Sequence, residues 1–309
     1  MLTSPTPKQA TDLAGRLHLH PHYIQTRTRI NLLVERFLAL GILHARLRDL
    51  PAQFREPQPR PWESIDWKEI NQNQIVGVSP EVFLLVIAGA MEIEAPIRDY
   101  SKESWGYLEK VHPQLARFMG GTFGESGSIA ELGVWEKEER QHCPTFAKIY
   151  LQLTEVKLTP KPNTVKGYQS SGNPREDVYR HGLNRIATEW SATSIYLWLM
   201  SHSTGALQQA ISEPMQDEIN HLAKFWGIGR WAFPEPYIKR LTKTTQQLTS
   251  LVKHNQQERT QNNVVQGQYI LYAVELTYTF ARIMRQLRRW SADLTPIYLE
   301  QLFGPPPLM

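Results

Sequence analysis

Two copies of one short motif constrain this chain more than any other feature of its sequence. Glu139 and His142 form the first Glu-x-x-His motif, and Glu218 and His221 form the second, seventy-nine residues later. On an α-helix, residues three apart share a face, so each motif directs a carboxylate and an imidazole the same way. When two such faces meet inside a protein, their carboxylates and imidazoles can form one site. The repetition therefore predicts a fold built from long helices.

The rest of the sequence favours the same class. Apolar residues recur at helical spacing, and alternating Val-, Ile- and Thr-rich runs and hairpin turn chemistry are absent from the sequence pattern. Ser79 is expected to cap a helix that begins at Pro80, and Pro51 is expected to end the first helix. We therefore predict an all-α fold. Its helices are expected over residues 26–50, 80–93, 128–154, 176–202, 206–226 and 261–290, with a long loop at 157–174.

The two motifs together have the ligands of a two-metal carboxylate site. They supply two bridging carboxylates and one imidazole per metal, and each metal then needs one further carboxylate from another helix. Glu189 meets this need for the second motif, because a helical hairpin closing at Gly205 brings it level with Glu218. On the first core helix the spacing leaves several candidates open. They are Glu92, Glu94, Glu103 and Glu109.

Composition argues against several other functions. Cys143 is the only cysteine, so the chain by itself can form neither a disulfide nor a thiolate metal site. A formal net charge of +4 is too small for the concentrated basic surface of a nucleic-acid-binding protein. The first residues lack the apolar core of a signal peptide, and the longest apolar run, 82–91, is about half of a membrane span. We expect a cytoplasmic protein with no membrane span and no nucleic-acid partner.

At these motifs the chain resembles the soluble acyl-carrier-protein (acyl-ACP) desaturases. Residues 135–142 are similar to the family's Trp-x-x-Glu-Glu-x-x-His segment, and residues 217–221 to its Asp-Glu-x-x-His segment. Residues 89–94 follow its Gly-x-Met-x-x-Glu pattern, which selects Glu94 as the ligand from the first core helix. The resemblance covers roughly residues 80–226. It implies a ferritin-like four-helix bundle core with additional N- and C-terminal helices.

The resemblance also implies a domain plan and a ligand set. One ferritin-like domain would span residues 1–309. It would consist of an arm, helix and Pro-rich connector (1–79), a di-iron core (80–226) and a helical extension (227–309). Two of the six metal ligands would bridge the irons, two would be terminal carboxylates, and each histidine would bind one iron. The bridging ligands would be Glu139 and Glu218, the terminal carboxylates would be Glu94 and Glu189, and the histidines would be His142 and His221.

Two further residues are implied to act in catalysis. Asp217 would lie outside the direct ligands and orient His221. The family carries a threonine three residues after the third-helix glutamate, but this chain has Ala192 at that position. Ser191 and Thr193 flank it, and Thr193 is the candidate that supplies the missing hydroxyl.

The implied chemistry is an oxidation by O2. Carboxylate and imidazole ligands suit Fe(II) or Mn(II), and the resemblance implies two irons with O2 as co-substrate. It further implies desaturation of a fatty acyl chain on acyl carrier protein, a ferredoxin-like electron donor and a homodimer. The acidic carrier would dock on basic residues of the first or last helix, namely Arg27, Arg29, Arg46, Arg48, Arg282, Arg285, Arg288 and Arg289. Candidate lining residues of the acyl channel are Phe83, Ile87, Phe146, Trp190, Tyr196, Leu197 and Met200.

Three alternatives remain open at this stage. The first is another di-iron oxygenase, acting on an aldehyde, an amine or an amino acid, and the shape of the pocket would distinguish it. The second is an iron-binding or storage protein of ferritin type, although the long terminal extensions differ from ferritin's compact plan. The third is a bundle that has lost its metal. All six ligand positions are filled, which makes this last alternative the weakest.

Overall fold

The computed structural model describes residues 21–110, 112–126, 128–161, 165, 167–233 and 263–306. Within these ranges almost all regular structure is helical, which confirms the all-α class. The helices are α1 (Pro21–Phe37), α2 (Leu40–Arg55), α3 (Pro80–Glu94), α4 (Ile97–Leu108), α5 (Pro113–Gly120), α6 (Val134–Glu139), α7 (His142–Thr154), α8 (Pro174–Ser201), α9 (Gly205–Ala232), α10 (Asn263–Ser291) and α11 (Pro296–Phe303).

Several helix starts follow from the local sequence. α3 begins at Pro80, and the Ser79 hydroxyl accepts a hydrogen bond from the backbone N–H of Val82, as predicted. α8 begins in the same manner, with Pro174 at its first position and the Asn173 side chain accepting from two backbone N–H groups. Gly205 has φ +57° and opens α9. Pro214 lies inside α9, which begins before it and continues past it.

The first predicted helix, 26–50, is wrong as a single element. α1 ends at Phe37, and α2 begins at Leu40 and continues through Pro51 to Arg55. The backbone carbonyl of Leu38 accepts a hydrogen bond from the buried side chain of Gln286 on α10, at 3.0 Å. This contact between distant residues lies at the interruption, which comes just before Gly41 in the first turn of α2.

The predicted helix 128–154 is also divided. Its first residues form a strand, β2 (Ile129–Glu131), where we expected no strands. This strand pairs antiparallel with β1 (Thr122–Phe123), which lies just before the predicted helix. Strands of two and three residues are too short to show an alternating pattern. The helical part then breaks between α6 and α7, where the N–H of Gln141 bonds to the carbonyl of Glu138 instead of continuing the α-helical pattern.

The helices that matter for the site are α3, α6, α7, α8 and α9. α8 and α9 are joined by only three residues, 202–204, and pack along each other, while α3 packs along α7. The connector from 56 to 79 crosses this core and contains two turns of 3₁₀-helix, Trp67–Glu69 and Gln72–Gln74. Among the described residues, no helix combines the length and the apolar character that crossing a membrane requires.

Candidate metal centre

A cluster of buried carboxylates and imidazoles lies between α3, α6, α7, α8 and α9. All six predicted ligands belong to it, and each residue is at most 5% exposed. Their ligand atoms form two groups, and within each group these atoms lie within 4.8 Å of one another. The groups are Glu94, Glu139, His142 and Glu218, and Glu139, Glu189, Glu218 and His221. Glu139 and Glu218 belong to both groups, as expected for bridging carboxylates.

The first motif reaches the cluster across a helix break. Glu139 is the last residue of α6 and His142 is the first residue of α7. The two intervening residues keep right-handed helical backbone angles, so the side chains still point the same way. Glu94, at the end of α3, faces them. Glu109, which the spacing left open as an alternative, is exposed at the end of α4.

Each histidine is held by a carboxylate that precedes the glutamate of the other motif. His142 Nε2 lies 3.3 Å from Asp217 Oδ2, and His221 Nε2 lies 2.8 Å from Glu138 Oε2. The prediction that Asp217 orients His221 is therefore wrong, because Asp217 contacts His142. Glu138 was missed by sequence reasoning. The signal was present, since an acidic residue precedes the glutamate in both motifs.

This arrangement leaves the other ring nitrogens free to bind an ion. A carboxylate on Nε2 fixes the proton there and leaves a lone pair on Nδ1. His142 Nδ1 lies 3.1 Å from oxygens of both Glu139 and Glu218, and His221 Nδ1 lies 3.0 Å from Glu139. Yet neither Nδ1 atom, and neither oxygen of Glu218, has a hydrogen-bond partner among the described residues. Buried polar atoms are normally satisfied, so these convergent atoms fit a metal pair.

The electrostatics of the cluster require positive charge. Burial and the neighbouring Glu139 raise the pKa of Glu94 to about 8, and they raise the pKa of Glu218 well above its usual value. Burial opposes the ionisation of Glu139 as well, but the positive charges of His142 and His221 lower its pKa. Burial lowers the histidine pKa values, but the carboxylates raise both well above the ordinary value. Protons thus neutralise the site where cations would otherwise do so.

The connector fixes the carboxylate beneath His142. Arg60 Nε donates to Asp217 at 2.6 Å, and its NH1 lies 2.9 Å from the buried Glu213. Trp62 donates its indole N–H to the second oxygen of Asp217 at 2.8 Å. The backbone N–H of Arg60 donates to Glu138 at 2.7 Å. One short segment therefore contacts both carboxylates that orient the two histidines.

α8 adds a tyrosine and a threonine beside the ligands. The buried Tyr196 hydroxyl donates to Glu94 Oε1, which leaves the other oxygen of Glu94 for a metal. Thr193, predicted as catalytic, is fully buried, and its hydroxyl has no hydrogen-bond partner in the described part of the chain. It lies one turn from Glu189 on the same helix. Ser191 instead donates to the carbonyl of Ala187.

The predicted channel residues are buried or nearly so, whereas the predicted docking arginines have mixed environments. Phe146 packs on Tyr196 with ring centroids 4.8 Å apart, next to the ligands. Arg29 and Arg46 donate to backbone carbonyls, and Arg282 bonds to the α1 residues Asn31 and Glu35. Of the eight predicted docking arginines, five are exposed, namely Arg27, Arg48, Arg285, Arg288 and Arg289.

No protein-family model, curated protein or solved structure matches the chain.

Proposed function

We propose that this chain is an O2-dependent di-iron oxidoreductase with a ferritin-like four-helix core. The observation that carries the proposal is the pair of buried ligand groups that share Glu139 and Glu218. Four carboxylates and two imidazoles match the ligands of di-iron bundle proteins, and two divalent ions would neutralise the four carboxylates. When bound, the two irons would activate O2 and supply an oxidant able to break an unactivated C–H bond.

The residues of the chain would support this chemistry by positioning and by excluding water. Asp217 and Glu138 keep the imidazole protons on Nε2, and the Tyr196 hydroxyl holds one oxygen of Glu94. All three side chains are buried, so the hydrogen bonds act in a medium of low dielectric constant. Apolar side chains such as Phe146 would enclose the reacting part of a substrate.

The resemblance to acyl-ACP desaturases supplies the more specific proposal. The reaction would remove two hydrogens from adjacent carbons of a fatty acyl chain, with O2 as oxidant and two electrons from a ferredoxin-like donor. A carrier-bound acyl chain, a cytoplasmic location and a homodimer belong to this proposal. It is supported by the matching motifs at 89–94, 135–142 and 217–221.

Iron content tests the proposal directly. Protein purified from iron-supplemented cells is expected to contain about two irons per chain. The double variants Glu139→Ala/His142→Ala and Glu218→Ala/His221→Ala should each lose most of it, because each removes one bridging carboxylate and one imidazole. Glu109→Ala, at an exposed position, serves as the matched control and should keep its iron. Iron that is absent, or indifferent to both double variants, would reject the metal centre.

Activity then tests the substrate. The iron-loaded protein would be supplied with acyl-ACP, a reduced ferredoxin and O2, and the acyl chains analysed by mass spectrometry. A product two mass units lighter supports desaturation, and a product sixteen units heavier identifies an oxygenase instead.

A further inference from the structure

Arg185 is a buried cation whose hydrogen-bonding groups are poorly satisfied. It lies on α8 one turn before the ligand Glu189 and is only 5% exposed. Its Nε has no hydrogen-bond partner among the described residues. Its ion-pair partner in that part of the chain is Glu103, whose Oε2 lies 3.9 Å from NH2, too far for a hydrogen bond. A buried guanidinium without acceptors is costly, so its position calls for an anionic partner.

Two aromatic rings surround this cation and connect it to the metal centre. The guanidinium carbon lies 5.1 Å from the ring centroid of Tyr100 and 5.7 Å from that of Trp135. Trp135 in turn lies next to the candidate ligand His221, with 6.3 Å between the two ring centroids. Cation–π contacts offset part of the desolvation of Arg185. They do not use its N–H donors, which lie in the plane of the guanidinium group. The cation thus lies one aromatic ring away from the metal ligands.

Other buried polar atoms at the same interface also lack partners. Ser104 Oγ, Trp135 Nε1 and His181 Nε2 make no hydrogen bond with any described residue. His181 precedes Arg185 by one helical turn and stacks on Tyr107, with centroids 5.1 Å apart. Ser104 lies between Tyr100 and Tyr107 on α4, on the face that both tyrosines turn toward α8. We call Tyr100, Ser104, Trp135, His181 and Arg185 the Arg185 pocket.

Other arginines near the core differ from this one. Arg46 donates to the carbonyl of Gln216, and Arg60 donates to both Asp217 and the carbonyl of Glu213. Among the described residues, Arg185 is the one arginine that is buried. Its side chain donates no hydrogen bond to any of them.

We propose that the Arg185 pocket binds the carboxylate of a free monocarboxylic acid and holds its adjacent carbons at the metal centre. A carboxylate accepts two parallel hydrogen bonds from a guanidinium, and the remaining donors can reach its other lone pairs. The inference rests on the metal centre of the proposed function and not on its carrier-bound substrate. A carrier-bound thioester has no carboxylate, so a free acid would take the place of acyl-ACP as the substrate. The attacked carbon would lie a few bonds from that group.

Glu103 provides an internal test. Its side chain is 16% exposed and lies at the edge of the pocket, where its carboxylate is the natural competitor for the guanidinium. Glu103→Gln removes the competing charge and keeps the shape. It should therefore strengthen carboxylate binding, whereas a purely structural Arg185–Glu103 ion pair gives no such gain.

The experiment is calorimetric titration of the full chain, as purified and after metal removal, with acetate, octanoate and phenylacetate. 1-Octanol serves as the neutral probe of equal chain length. At least one of the three carboxylates should bind. If octanoate binds, it should bind more tightly than 1-octanol. Arg185→Gln should weaken that binding about tenfold or more, and Ser104→Ala about threefold, because charged and neutral hydrogen bonds are lost. Arg180→Gln, on the exposed face of α8, is the matched control and should change nothing.

Each result decides the matter. Carboxylate binding that Ser104→Ala weakens and Glu103→Gln strengthens supports the pocket even if Arg185→Gln does not fold. Equal binding of octanoate and 1-octanol, binding unaffected by these variants, or no carboxylate binding overturns it. Binding to metal-free protein reports on the pocket alone, whereas iron content reports on the metal centre alone. A failure of one proposal is therefore distinguishable from a failure of the other.

Discussion

At the scale of single residues, the crossed contacts of Asp217 and Glu138 are the most informative feature of the site. Each precedes a bridging glutamate in sequence but contacts the histidine of the other motif. The resemblance implied a contact within one motif, between Asp217 and His221, which also share a helix face. Both imidazoles instead turn across the core, and the two motifs become mutually dependent. The carboxylates that set the imidazole tautomers come from opposite helices.

This dependence predicts a specific pattern of coupling. Asp217→Asn should lower metal affinity roughly 10- to 100-fold, the usual cost of removing a carboxylate that orients a ligand histidine. The loss should nearly vanish in a His142→Ala background and persist in a His221→Ala background. Glu138→Gln should show the reverse. Co(II) titration followed by absorption spectroscopy measures each corner of the cycle, and coupling of Asp217 to His221 would contradict the crossed arrangement.

The candidate ligands could be predicted from the sequence, and Asp217 and Glu138 had a local signal, whereas the long-range contacts around them could not be predicted. Glu139, His142, Glu218 and His221 lie in motifs whose periodicity is local. Glu94 needed the family pattern as well, because spacing alone left several glutamates open, including Glu109. Contacts such as Arg60 with Asp217 join residues 157 positions apart, and no short-range pattern encodes them.

At the scale of elements, the same limit explains the errors in helix boundaries. Caps such as Ser79 with Pro80 are encoded within four residues and were predicted correctly. The interruption after Phe37 coincides with a side chain from α10. The break between Glu139 and His142 instead has a local signal, because Pro144 in the first turn of α7 lacks the N–H that would bond to the carbonyl of Arg140. Pro51 was expected to stop α2 but lies inside it, and the helix continues for four residues beyond the proline.

The connector is the element whose removal should affect the site most. Arg60→Ala leaves Asp217 and Glu213 buried without their cation, which typically costs about 3–5 kcal/mol of stability. It should also loosen His142 and weaken metal binding. Arg60→Lys keeps the charge but loses the fork, so it should recover stability better than metal affinity. Urea denaturation and Co(II) titration measure the two effects.

Arg98→Ala is the matched control for this element. Arg98 also pairs with a buried carboxylate, that of Glu136, but Arg140 and Ser101 remain bonded to it when Arg98 is removed. Its loss should leave metal affinity unchanged. A similar loss of affinity in Arg98→Ala and Arg60→Ala would mean that general destabilisation, and not the connector's contact with Asp217, is responsible.

At the scale of the whole molecule, the buried cluster couples folding to pH and to metal. In the metal-free protein the pKa of Glu94 is raised to about 8, so the folded state holds a proton that the unfolded chain releases near its ordinary pKa. This contribution to stability is full below the unfolded pKa and is lost as pH rises toward 8. The raised histidine pKa values act in the same direction above pH 6.5 or so. Metal binding displaces these protons and has the opposite pH dependence.

Metal-free protein should therefore melt at a lower temperature at pH 8 than at pH 6. One proton corresponds to about 1.4 kcal/mol per pH unit, or roughly 2 °C in Tm for a chain of this size. The increase in Tm on adding Fe(II) without oxygen, or Zn(II), should grow over the same interval. Glu94→Gln mimics the protonated carboxyl, so its metal-free Tm should fall less with pH. Scanning calorimetry decides, because a wild-type Tm that falls no more steeply than that of Glu94→Gln would remove Glu94 as the origin of the coupling.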